Sequence, residues 1–260
     1  MRAADLLPRF LLPPVSALAA RPADDVAVER LTGLSRDGWR RLGAAFPRLG
    51  DDPGPSAARA RRRLHFLVGR ALGTTRHAPL VRGREPENDP TLYVSAHLGD
   101  LRGLRYLLRA RLPVATVVSI ADERRAWIAR EDRVFDERFP GEFPHSFSAR
   151  HPHRLRSALR RGSLMAAADL PESGGVAVPF LGGEIRLDPR PFRLARIARV
   201  PCRAIFLTAP VGRLTIALGE PLPAGEDAAL RAFARELAAA AEESPFEIDG
   251  VTLTHHLAGR

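Results

Sequence analysis

The chain contains no lysine: all forty of its basic residues are arginine, set against thirty acidic residues, for a formal charge of +10. The choice of arginine over lysine points partly to a GC-rich coding bias. It does not account for the excess of base over acid, which favours an anionic partner such as phospholipid, a phosphorylated cofactor or nucleic acid. Cysteine is nearly absent too. Cys202 stands alone, so no disulfide forms within the chain. Its setting, the apolar "RVPCRAIFL", marks it as a buried structural thiol rather than a nucleophile. Aromatic residues make up only 6% of the sequence and form no stacking platform, so nucleic-acid binding would rest on net charge alone. Nothing approaches the run of about 20 apolar residues needed to span a bilayer.

Missing motifs narrow the field further. There is no GxSxG elbow of an α/β-hydrolase, no Walker loop and no GxGxxG. "SGG" at 173–175 is too short to cradle phosphate. His151, His153, His255 and His256 lack the cysteine or carboxylate spacing of a zinc site. At the N-terminus, Asp5, Arg9 and several prolines break up the apolar residues, so a secretion signal is not expected. Leu6, Leu7, Phe10, Leu11 and Leu12 could lie on a membrane surface beside Arg9, or pack on the protein's own core.

What is present is an alternation of short apolar runs and helical patterns. Strands are predicted at "TLYVSA", "PVATVVSI", "SLMAAADL", "PCRAIFLTAP" and "GRLTIALGEPL". Helices are predicted over 24–48 and 57–72, after His97, over 123–138, at "HRLRSALRRG", at "PRPFRLARIARV" and in the Ala-rich stretch near the C-terminus. The stretches "FPGEFPHSFSARHPHRL" and "PESGGVAVPFLGGEIRLDP" are rich in proline or glycine, and the first reads as a loop. Doubly buried strands joined by helices imply an α/β fold with a mainly parallel central sheet. Residues 1–56 read as an N-terminal helical segment and residues 57–260 as the α/β domain.

In such a sheet, ligands gather beyond the carboxyl ends of the strands. His97, Ser119 and Asp169 all fall at predicted strand ends. In "YVSAHLGDLRGL", His97 precedes Asp100 by three residues at a helix start. A neutral imidazole can take a proton from an attacking hydroxyl, and a nearby carboxylate can fix its tautomer. Gly99 leaves space for backbone approach, and N–H groups of the helix start could hold an oxyanion. Asp in a first helical turn is also ordinary capping chemistry, so the pair alone does not identify an enzyme.

"SAHLGDLRGL" resembles the first motif of the lipid A late acyltransferases, the lauroyl/myristoyl transferase branch of the lysophospholipid acyltransferase superfamily. "LRRGSLMAAADLPESGGVAVPFLGG", "RPFRLARIARVPCRAIFL" and "GRLTIALGEPL" resemble later stretches of that family in matching order, so the likeness spans about residues 55–225. The resemblance implies transfer of a fatty acyl group from acyl carrier protein or acyl-CoA to a lipid or glycolipid hydroxyl or amine. It implies a peripheral protein at the cytoplasmic face of the inner membrane, with no metal and no bound cofactor beyond the acyl donor. His97 matches the catalytic histidine. Asp169, Gly175, Pro179 and Phe180 match the later Asp and Gly-Gly segment. Arg102, Arg105, Arg193 and Arg196 are candidates to attract phosphate. The chain departs from the pattern at Arg102, where the family carries the acid that partners its histidine. On that basis Asp100 is the expected partner of His97, and Asp169 is expected to shape the pocket. The alternative is a catalytically degenerate relative that binds lipid or acyl carrier without turnover.

Overall fold

The structure is a computed structural model that describes residues 80–83, 89–99, 101, 104, 108, 114–118, 146–169, 171, 174–181, 183–208 and 215–243. The N-terminal helical segment, the helices expected over 57–72 and 123–138, Ser119, Asp100, Arg102 and Arg105 lie outside the described residues.

In chain order the elements are β1 (Leu80–Arg82), β2 (Leu92–Ser95), β3 (Val114–Val118), β4 (Ser146–Ser148), α1 (Pro152–Ala158) and β5 (Ser163–Ala167). They are followed by β6 (Val176–Phe180), β7 (Gly183–Leu187), α2 (Arg190–Ala198), β8 (Cys202–Thr208), β9 (Thr215–Pro221) and α3 (Glu226–Glu243). A seven-stranded sheet runs in the order β1-β9-β8-β2-β5-β3-β4. Strands β8, β2, β5, β3 and β4 are mutually parallel, whereas β9 is antiparallel to β8 and β1 runs with β9. The sheet is therefore mixed but mostly parallel, as the strand–helix alternation implied.

The central strands owe their position to continuous apolar sequence. Every residue of β2 ("LYVS") and of β8 ("CRAIFLT") is buried, the mark of a strand covered on both faces. Register sorts their side chains into two cores. On one face Leu92, Val94, Leu164, Ala204 and Phe206 pack with residues of α1, α2 and α3. On the other, Tyr93, Met165, Ile205 and Leu207 pack with Leu104 and Leu108 of the helical stretch that follows His97. The first core is anchored by Phe233 of α3, whose ring meets Phe192 edge-on at 5.6 Å and Phe206 at 5.8 Å.

Three features lay hidden in the sequence, the first being β1, a three-residue strand at one edge of the main sheet. Residues 176–187, within the Gly- and Pro-rich stretch, form an antiparallel hairpin of β6 and β7 as a separate two-stranded sheet. Val178, Phe180, Ile185 and Leu187 point into the first core, while the residues between them are exposed or half-buried. Leu181, which follows β6, has φ +46°, the left-handed backbone favoured in a tight hairpin turn. The stretch read as a Pro-rich loop contains β4, a three-residue strand at the edge of the main sheet.

Candidate active site

The sheet order decides where a ligand would sit. The chain leaves β2 across the face carrying Leu104 and Leu108 and returns in β3, on the far side of β5. It leaves β5 through the hairpin and α2, on the opposite face, and returns in β8, on the far side of β2. The connections from two neighbouring strands thus depart on opposite faces and in opposite directions. Such a switch point opens a crevice at the carboxyl ends of the strands.

His97 follows β2 and Asp169 follows β5, so both stand at this switch point. They meet through two contacts. The His97 backbone N–H donates to Asp169 Oδ2 at 2.7 Å, and His97 Nδ1 lies 2.9 Å from Asp169 Oδ1. The carboxylate is 1% exposed and the imidazole 30% exposed, so the acid is sealed in while the ring reaches solvent. A carboxylate only accepts, so Nδ1 carries the hydrogen and the ring lone pair falls on Nε2. The main-chain bond fixes the acid relative to the histidine's own backbone, which restricts the ring to few orientations.

The surroundings hold both residues in place. Ala168 N–H donates to Ser95 O at 3.0 Å, carrying the β2–β5 ladder to the threshold of the pair. Asp188 N–H donates to Ala168 O at 2.7 Å, tying the end of the hairpin to the same point. Beyond His97, Gly99 adopts φ +78° and bridges to Leu207 of β8. That left-handed step costs a glycine little and would strain most other residues.

Asp188 is itself buried. Its Oδ1 accepts the Arg190 backbone N–H at 2.9 Å, closing the start of α2, and its two oxygens take the Arg190 guanidinium at 2.7–2.9 Å. Sequence reasoning passed over this residue. The "DPR" that opens a helical pattern, with Asp two residues ahead of the first helical turn, was the available signal.

The other expected site residues are placed as follows. Asp169, expected to shape a pocket, is the carboxylate on the histidine ring. Gly175 sits where a Cβ would come within 2.7 Å of Pro171 Cγ and 3.0 Å of Leu187 O, which gives it a packing reason to be glycine. Pro179 is exposed on β6, and Phe180 is buried in the first core. Arg193 forms a forked pair with Glu226 at the start of α3, through bonds of 3.0 and 2.8 Å, and the two groups shift each other: the Arg193 pKa is raised and that of Glu226 lowered. Arg196 lies exposed on the same helix. Cys202 is buried, and desolvation pushes its thiol up to about 12, in keeping with a structural role. His151 and His153 are exposed and pack edge to face, their ring centroids 6.0 Å apart. Among the described residues, no cluster of three or more His, Cys, Asp or Glu could hold a metal, and no helix is long and apolar enough to cross a membrane.

No protein-family model matches the chain, and no curated protein matches it.

Proposed function

We propose that the protein is an acyltransferase in which His97 is the general base and Asp169 its positioning carboxylate. The observation that carries this reading is the two-point contact between a solvent-reaching imidazole and a sealed carboxylate at the switch point of the sheet. In the proposed reaction, His97 Nε2 takes the proton of an acceptor hydroxyl as its oxygen attacks the carbonyl of an acyl thioester. The C–S bond of the tetrahedral intermediate then breaks. The departing thiolate takes the proton from the imidazolium, leaving an ester and a thiol. Asp169 steadies the imidazolium while it exists and keeps Nε2 aimed outward.

The resemblance to the lipid A late acyltransferases supplies the substrate class: acyl carrier protein or acyl-CoA as donor, and a membrane lipid or glycolipid as acceptor. Arg102 replaces the family's acid, and that departure motivated a reading without turnover. The Asp169 contact supports chemistry instead, because the ring has a carboxylate from a neighbouring strand.

The test measures thiol release from acyl-CoA and acyl carrier protein thioesters with a panel of lipid and glycolipid acceptors. Wild-type protein is expected to form product, and His97→Ala to lose about a thousandfold or more in kcat. The variant should bind the acyl donor within a few-fold of wild type. Equal turnover by His97→Ala would remove His97 from the reaction. Donor binding without product from any acceptor would favour the lipid-binding reading.

A further inference from the structure

The arginines are not spread evenly along the chain. Residues 143–168 contain no Asp or Glu, and neither do residues 189–219. The fold puts these acid-free stretches side by side, because α1 and α2 pack against each other on one face of the sheet. Around α1, Leu155, Ala158 and Leu159 turn inward, while Arg150, Arg154, Arg156, Arg160 and Arg161 are exposed. On α2, Phe192 and Ala195 turn inward, while Arg196 and Arg199 are exposed. Among the described residues no salt bridge holds any of these seven side chains, although Arg196 lies near enough to Glu226 for its charge to help lower that carboxyl's pKa. Within this surface Ile197 is 49% exposed, one of the two large apolar residues so placed among those described.

We propose that the outer face of α1 and α2 is the surface by which the protein docks on an anionic phospholipid bilayer. A fluid array of headgroup phosphates satisfies scattered guanidinium groups without requiring a fixed register. An aliphatic side chain standing among them gains by entering the boundary between headgroups and acyl chains. A nucleic-acid partner fits less well. Ile197, next to Arg196 on α2, is aliphatic and gives a base no face to stack on, the exposed rings of His151 and His153 being confined to the start of α1, and α1 is a seven-residue helix that offers little length to follow a groove. Both helices run antiparallel to the parallel strands, so their N-terminal ends lie at the sheet edge that carries His97 and Asp169. A bilayer on this face would border the crevice. The inference deepens the proposed function by assigning the contact with lipid, yet it depends on the fold and not on the chemistry.

The experiment is vesicle flotation of the full chain with phosphatidylcholine alone and with phosphatidylcholine containing phosphatidylglycerol. Binding is expected to the anionic vesicles, and to weaken as salt rises. Two double variants, Arg154→Ser with Arg156→Ser and Arg160→Ser with Arg161→Ser, should each lower the partition coefficient about tenfold or more. Ile197→Ser should lower it severalfold and leave the salt dependence unchanged. Each variant is compared with wild type by melting temperature, so that a folding defect is recognised. Anionic-vesicle binding that both folded double variants retain would overturn the proposal. So would equal binding to neutral vesicles, or displacement of the protein from vesicles by duplex DNA. His97→Ala should bind vesicles as wild type does, so loss of docking and loss of chemistry are separable.

Discussion

Two aspartates at the ends of neighbouring connections make the same pair of contacts with different consequences. Asp169 accepts the backbone N–H of His97 and faces its imidazole; Asp188 accepts the backbone N–H of Arg190 and faces its guanidinium. The two are linked, since Asp188 N–H donates to the carbonyl of Ala168, the residue before Asp169. The partner makes the difference. A guanidinium keeps its charge at every accessible pH, so the Asp188 pair has no switch on its cationic side and serves to hold the chain in place. An imidazole gains and loses its proton near neutrality, so the same geometry at Asp169 can stabilise a charge that comes and goes. One aspartate is a fastening, and the other has the form of a catalytic accessory.

The strongest way to break this comparison is to neutralise each acid in turn. Asp169→Asn retains one acceptor for the His97 N–H but can no longer balance an imidazolium. We expect acyl transfer to fall by about two to four orders of magnitude, read as kcat on acyl thioester, with donor affinity little changed. Asp188→Ala should behave in the opposite manner. It removes the Asp188 contacts from the Arg190 N–H and guanidinium and should cost about 1–3 kcal/mol in denaturant unfolding, with kcat changed only severalfold. If Asp188→Ala abolished turnover while stability held, the division between the two acids would fail.

A third carboxylate sharpens the contrast because burial and a like charge outweigh the one arginine that acts on it, Arg235. Glu236 of α3 has its pKa raised, chiefly by desolvation and secondarily by the charge of Glu220. A raised folded-state value means that the folded protein binds the proton more tightly than the unfolded chain. Its contribution to stability is therefore complete below the unfolded value and is lost as pH rises through the folded one. Glu236→Gln should accordingly melt higher than wild type at pH 8, and the advantage should vanish near pH 4. The smallest effect is expected at the solvent-exposed pair of Arg193 and Glu226, where Arg193→Gln should shift the melting temperature little, and less still at high salt.

The fold's legibility in the sequence followed the physics of each segment. Doubly buried strands such as "LYVS" and "CRAIFLT" declare themselves by unbroken apolar runs, and the helices by their stripes. His97 and Asp169 were both placed at strand ends on this basis. The carboxylate that contacts the histidine was harder to name. Asp100 is three residues away in sequence and Asp169 is seventy-two away, and only the insertion of β5 beside β2 brings the distant one into reach. Strand order is a property of long-range packing that local periodicity does not encode. The β6–β7 hairpin was masked for a different reason. Pro179 and the glycines around it read as breakers, yet a two-stranded ribbon tolerates proline at an exposed position. The edge strand β4 is too short, at three residues, to show any period.

The same logic explains why net charge alone was ambiguous. A charge of +10 could serve phospholipid, a phosphorylated cofactor or nucleic acid. Only the packing of α1 beside α2 gathers the acid-free stretches on one surface and sets Ile197 among the arginines.

The central claim is that a buried acid from one strand arms a histidine from the next. It is tested most directly by initial rates of acyl transfer for Asp169→Asn beside wild type, on one acyl thioester and one lipid acceptor. Our account predicts a fall of about a hundredfold or more in a variant that melts as a folded protein and still binds the donor. A rate within a few-fold of wild type would contradict it.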